Sequence, residues 1–323
     1  MRSTARSFRL ANLATLIAIA TLATSFAAAA PARAAGLAAR TFLASFGNDA
    51  NSCTSPQDPC RSFSAALNKI ETGGQISILD GGPYGGPGIN KSITVDGESA
   101  GGAVVRMALS IFGDARVVVL RGLVLNGADF SSDIVRFAGS GTLQVENCVI
   151  DGTGTERGGT NGIVIEADGD SRVVIADTVI RNVVENDAHG LRVLALSPGS
   201  GSLRLALDRV RLVGNTNGMA FVVQRGEGVV ATIRDSLIAL NELHGAQVTS
   251  SAPTVDVMIE RTTFADNGLV GLAAGGSRAT VRLRTVTVTH NDVGISGAIL
   301  SYGDNVIDAN GIDGAPAQVG TLQ

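Results

Sequence analysis

Five asparagines, at positions 215, 241, 267, 291 and 310, step along the chain by 26, 26, 24 and 19 residues. Each closes the same short pattern: an apolar-alternating strand, a polar pair, a second apolar pair, then Asn. Ile233–Asn241 (IRDSLIALN) and Ile259–Asn267 (IERTTFADN) are two clear copies. A Gly follows each turn, at 162, 190, 218, 245, 271 and 294, and a short apolar strand comes next. A unit of this length holds two or three strands and cannot bury its own apolar side. Copies must stack to make a continuous core. Leucine-rich repeats have a similar period but need a Leu consensus that is absent, and propeller blades need about 40 residues or more. The pattern predicts an all-β chain folded as a parallel β-helix solenoid, right-handed by the crossover rule for parallel strands.

Charge supports the register. Equivalent outward positions on stacked parallel strands lie about 4.8 Å apart. One column reads Asp208, Arg234, Glu260, Arg284 and its neighbour reads Asp177, Arg209, Asp235, Arg261. Both alternate in sign, so each charge has partners on the adjacent coils. That argues for a structural role over a substrate-binding stripe. The Asn column reads the same way, since Asn tolerates left-handed backbone at a turn and hydrogen-bonds along a stack.

A solenoid end exposes strand edges and core and needs a cap. Residues 62–72 predict a short helix, with Ser62 as N-cap, Phe63, Ala66, Leu67 and Ile70 on one face, and Gly73-Gly74 as the stop. The first 34 residues read as a signal peptide. Arg2, Arg6 and Arg9 precede an apolar stretch over residues 10–30, and Ala32-Arg33-Ala34 supplies a cleavage signal. The remaining organisation is an N-terminal segment over 35–74, a β-helix over 75–310 and a tail over 311–323. No membrane span is expected once the signal is removed. Its removal leaves 21 basic against 29 acidic residues, a net charge of −8. Such a body argues against nucleic acid as a partner.

Cys53 and Cys60 share a polar loop and could close a disulfide in an oxidising compartment. Cys148, set among strand residues, reads as a small buried hydrophobe.

Phe63-Ser64-Ala65-Ala66-Leu67, the run from Gly73 to Asp80, Tyr84, and Ile89 through Gly97 together resemble the opening of pectate-lyase-like right-handed β-helix proteins. With Arg40-Thr41-Phe42, Asn48 to Asn51, Cys53, Cys60, Arg61 and Ile299 to Asn305, the chain is similar to uncharacterised exported proteobacterial β-helix repeat proteins. The resemblance covers most of residues 40–310. It implies the fold, and many functions use that scaffold.

Polysaccharide lyases of this fold need clustered acidic calcium ligands and a basic proton acceptor, a set that does not map onto this chain. Asp168-Gly169-Asp170 reads as a solvated turn, and no metal or cofactor is expected. Turn spacing lengthens between residues 151 and 215. The inserted loops carry Glu185, Asp187 and His189 as candidate catalytic residues, and Glu156 and Arg157 as candidate ligand contacts. His244 and His290 read as surface residues. The absence of Trp removes a common sugar-stacking platform. The favoured expectation is an exported, non-catalytic protein of the periplasm or cell surface that binds a glycan or other extracellular ligand. The alternatives are a polysaccharide lyase or glycoside hydrolase acting on an acidic polysaccharide, and a structural or adhesive envelope element.

Overall fold

A computed structural model describes residues 36–319 other than 87, 128–131, 155–160, 185, 196–200, 225–227 and 252. The signal-peptide expectation, Glu156, Arg157 and Glu185 therefore lie outside the described residues.

One coil shows the plan. Asn217–Val223 forms the first face, Val229–Arg234 the second and Leu237–Ala239 the third. On the next coil Ala246–Ser250, Val255–Glu260 and Thr263–Ala265 pair in parallel with these three in turn. Faces 1 and 2 belong to one sheet of 18 strands and face 3 to a sheet of ten. The chain is a parallel β-helix, all-β apart from its short helices.

Alternation along each strand sends every second side chain inward. On face 3 the inward column runs Leu125, Ile150, Ile180, Leu212, Ile238, Phe264, Val288. All seven are fully buried. At about 25 cal/mol per Å² of apolar surface, such columns dominate what holds the coils together. The charge columns stack as the sequence predicts. Asp208 lies opposite Arg234, Arg234 opposite Glu260, and Glu260 opposite Arg284. Arg234 reaches Asp208 at 3.0 Å, and the column extends back to Arg121 and Asp96, 2.9 Å apart.

The corner between faces 2 and 3 is a single left-handed residue. Asn147, Asp177, Arg209, Asp235, Arg261 and Thr285 occupy it at φ between 43 and 53°. Each non-Gly residue there carries strain. Neighbouring coils offset part of it by pairing across the corner, with Arg209 to Asp177 at 2.6 Å and Arg261 to Asp235 at 2.7 Å.

The Asn column differs from expectation in one respect. The left-handed residue is the one before each Asn: Gly214, Leu240, Asp266, His290 and Ala309. The asparagines turn inward and form a buried ladder. Asn241 Nδ2 donates to Asn267 Oδ1, and Asn267 Nδ2 to Asn291 Oδ1, both at 2.8 Å. Asn291 continues to Asn310, which donates to Asp313 at 2.9 Å. The same amides donate to face-3 carbonyls, as Asn267 Nδ2 does to Ile238 O at 3.2 Å. The amide supplies both a donor and an acceptor, which a buried corner needs.

The cap also departs from expectation. The helix is Phe63–Lys69, capped by Ser62 Oγ accepting from Ala65 N at 3.2 Å. It ends at Lys69 because Ile70, fully buried, begins the strand Ile70–Ile78, which takes in Gly73 and Gly74. Lys69 Nζ donates to the carbonyls of Asp49 and Asn51 at 2.6 Å and fixes that end. Cys53 and Cys60 are joined by a disulfide. Phe42 N donates to Cys53 O and accepts through its carbonyl from Cys60 N, both at 2.8 Å. The stapled loop thus covers strand Ala38–Leu43, which pairs in turn with Ile70–Ile78. Strand pairing extends past both ends of the 75–310 span, since Ala317–Gln318 pairs with Leu300–Ser301. Cys148 is buried as expected, and burial pushes its thiol up to about 11.

Candidate functional site

The turn from face 3 to face 1 places one residue per coil just before the recurring Gly: Asn161, His189, Asn217, His244. His189 lies opposite Asn217 in the ladder of face 1. Its main-chain N donates to Asn161 Oδ1 at 3.0 Å, and Asn217 Nδ2 donates to Ala188 O at 3.1 Å. These bonds fix a polar edge along the solenoid.

The two described candidate catalytic residues sit in unlike surroundings. Asp187 stands at left-handed φ on the rim, with its side chain 76% exposed. His189 is only 4% exposed and faces the wall. Burial pushes its imidazole down to about 4, and the Arg192 guanidinium adds to the fall. The Asp187 carboxylate pulls the other way without offsetting it. At neutral pH the ring is uncharged.

Arg192 was not anticipated. It lies on face 1, three residues beyond His189, with Nη2 3.7 Å from Asp187 Oδ2. It shares an outward column with Ala220 and Gln247 on the following coils. Ala220 is 1% exposed although it lies on the strand side opposite the core residues Met219 and Phe221. His244 is also not the surface residue expected. It is partly buried, and burial lowers its pKa. His290 is exposed and bonded to Thr289 Oγ1 at 3.2 Å.

Among the described residues, five buried side-chain nitrogen or oxygen atoms have no hydrogen-bond partner. Three of them, His189 Nδ1, Arg192 Nε and His244 Nδ1, lie on this edge. Leaving a buried polar atom unpaired costs about 1–3 kcal/mol each. Their concentration on one edge makes it the candidate site.

A search of solved structures finds the crystal structure of pectate lyase Pel9A at a TM-score of 0.52 and 16% identity, covering 88% of this chain and 83% of that one. The shared feature is the fold. No protein-family model and no curated protein sequence matches the chain.

Within that fold, the acids available for metal binding are dispersed. Among the described residues no three His, Cys, Asp or Glu side chains converge. Asp168 and Asp170 are exposed, as expected, but lie within strand Ile163–Ala176 and not in a turn; Asp170 also accepts from Ser202 N at 3.0 Å and Ser202 Oγ at 3.2 Å on the next coil. No helix among the described residues is long and apolar enough to cross a membrane.

Proposed function

We propose that the chain is an exported, non-catalytic β-helix protein that binds a glycan along the edge carrying Asp187, His189, Arg192, His244 and Gln247. The observation that carries this reading is the group of three buried nitrogens left without partners there. A glycan offers hydroxyls that both donate and accept, which suits a neutral imidazole beside a guanidinium. The low pKa of His189 favours binding over proton transfer. The Cys53–Cys60 disulfide and the positively charged, then apolar, N-terminal stretch support export. The fold likeness to a pectate lyase supports a polysaccharide as the ligand.

The test is affinity electrophoresis in gels containing neutral and acidic plant, algal and bacterial glycans. The protein is expected to be retarded by one class, and Arg192→Ala and His244→Ala to lose about tenfold in affinity each, the scale of one hydrogen bond to a charged or buried group. Cleavage of any glycan would replace this reading with a lyase or hydrolase. No retardation by any glycan would leave the structural or adhesive role.

A further inference from the structure

Face 2 holds a break in the charge pattern. Arg172 lies directly opposite Arg204 on the neighbouring strand. Like charges facing each other across paired strands destabilise the pairing. Several other arginines on the stack meet acids on an adjacent coil, as Arg121 meets Asp96, Arg181 meets Asp151 and Arg261 meets Asp235. Among the described residues, neither Arg172 nor Arg204 has a hydrogen bond or lies within ion-pair distance of a carboxylate. Both are exposed, and both line a groove of about 440 Å³ with Gly141, Thr142, Asp170 and Ser202.

We infer that Arg172 and Arg204 form a binding site for a tetrahedral oxyanion, the phosphate or sulfate group of a ligand. Adjacent parallel strands hold the two side chains about 4.8 Å apart at their bases, so both guanidinium forks can close on one group. One bidentate fork occupies both oxygens of a carboxylate, whereas a phosphate or sulfate ester presents three terminal oxygens and can take two forks at once. Thr142, next to Arg172 in the same column, adds a hydroxyl. Asp170 contributes one negative charge but is turned to Ser202, so the two arginines leave the groove at net +1. On a chain of net charge −4, this pair is a local positive site, with the Asp170 carboxylate near Arg204 the one opposing charge in the groove. The site is on face 2, away from the His189–His244 edge, and does not depend on the glycan reading.

Titration calorimetry with sodium sulfate, inorganic phosphate, dextran sulfate, dextran and polygalacturonate tests the inference. The protein is expected to bind at least one of the first three. The double variant Arg172→Ala/Arg204→Ala and the single variant Arg204→Val, which copies Val230 on the next coil, should weaken binding about tenfold or more. Their melting temperatures should hold or rise, because a like-charge contact has been removed. Binding of the free ions alone identifies a free oxyanion as ligand. Binding of dextran sulfate alone identifies an ester on a larger chain. Arg192→Ala and His244→Ala should leave this binding unchanged. Undiminished binding by the double variant, no binding of any sulfate or phosphate probe, or equally tight arginine-dependent binding of polygalacturonate would overturn the inference.

Discussion

Gly245 and Asn267 are a matched pair. A Cβ on Gly245 would sit 2.9 Å from Asn267 Nδ2 and 2.5 Å from the carbonyl oxygen of Gly271. The recurring Gly is required by the close approach of the next coil and its ladder amide, since Gly245 itself has no left-handed φ. Gly218 and Asn241, and Gly271 and Asn291, repeat the relationship at 3.0 and 2.9 Å.

Gly245→Ala is therefore expected to lower stability by about 1–3 kcal/mol, the cost of forcing a methyl against packed backbone. Gly275→Ala is the control, because its Cβ would meet only the Thr249 side chain, at 3.6 Å or more. That change should be neutral or slightly stabilising. Urea melts of both variants check the contrast, and equal losses would refute the role assigned to the glycine column.

Asn267→Ala should cost about 2–3 kcal/mol, because it strips Asn241 N and one of the two Asn241 Nδ2 hydrogens of their acceptor in a buried place. Asp313→Ala, at the solvent end of the ladder, should lower the melting temperature by much less. Thermal unfolding of the two variants separates an interior rung from a terminal one.

Reducing the Cys53–Cys60 bond, which spans seven residues, should cost about 2 kcal/mol on the loop-closure scale. Hydrogen exchange should show the loss first at the amides of Phe42 and Cys60, which tie the loop to the first strand. Unchanged protection there after Cys53→Ser would contradict a capping role.

His189 gives a pH signature. Its folded pKa of about 4 lies below the ordinary 6.5, so the unfolded chain takes up the proton first as pH falls. The associated stability is full above pH 6.5 and drains away between 6.5 and 4, to a total of about 3 kcal/mol. Partly buried His244 shifts in the same direction. Asp177 and Asp235 are held below the usual carboxylate range by Arg209 and Arg261, so their titration falls beneath this window. His189→Gln should flatten the slope of stability against pH between 6.5 and 4. An unaltered slope would show that the ring is not held neutral.

The register was legible because stacking writes each column into the sequence at a near-constant step. Asp208, Arg234, Glu260 and Arg284 could be aligned by counting alone. Counting failed where a loop changes the step. Arg172 and Arg204 are 32 residues apart, outside the spacing of the later coils, so their apposition was hidden. Burial was harder to read than register. The sequence places His189 and His244 in loops, where side chains are ordinarily solvated, yet His189 opens the strand His189–Ala195 and is buried, and His244 is half-buried. The helix end was misplaced because Gly73-Gly74 looked like a stop, while the core's demand for Ile70 ended the helix earlier. The edge had no motif to announce it, only buried atoms left without partners.

Binding without turnover at this edge is tested by measuring both on one glycan panel. Each glycan would be incubated with the protein, with and without calcium, while unsaturated products and new reducing ends are followed and retardation is measured in parallel. Retardation by at least one glycan is expected, weakened in Arg192→Ala and His244→Ala, with no product from any of them. Product formation, or retardation indifferent to both variants, would contradict it.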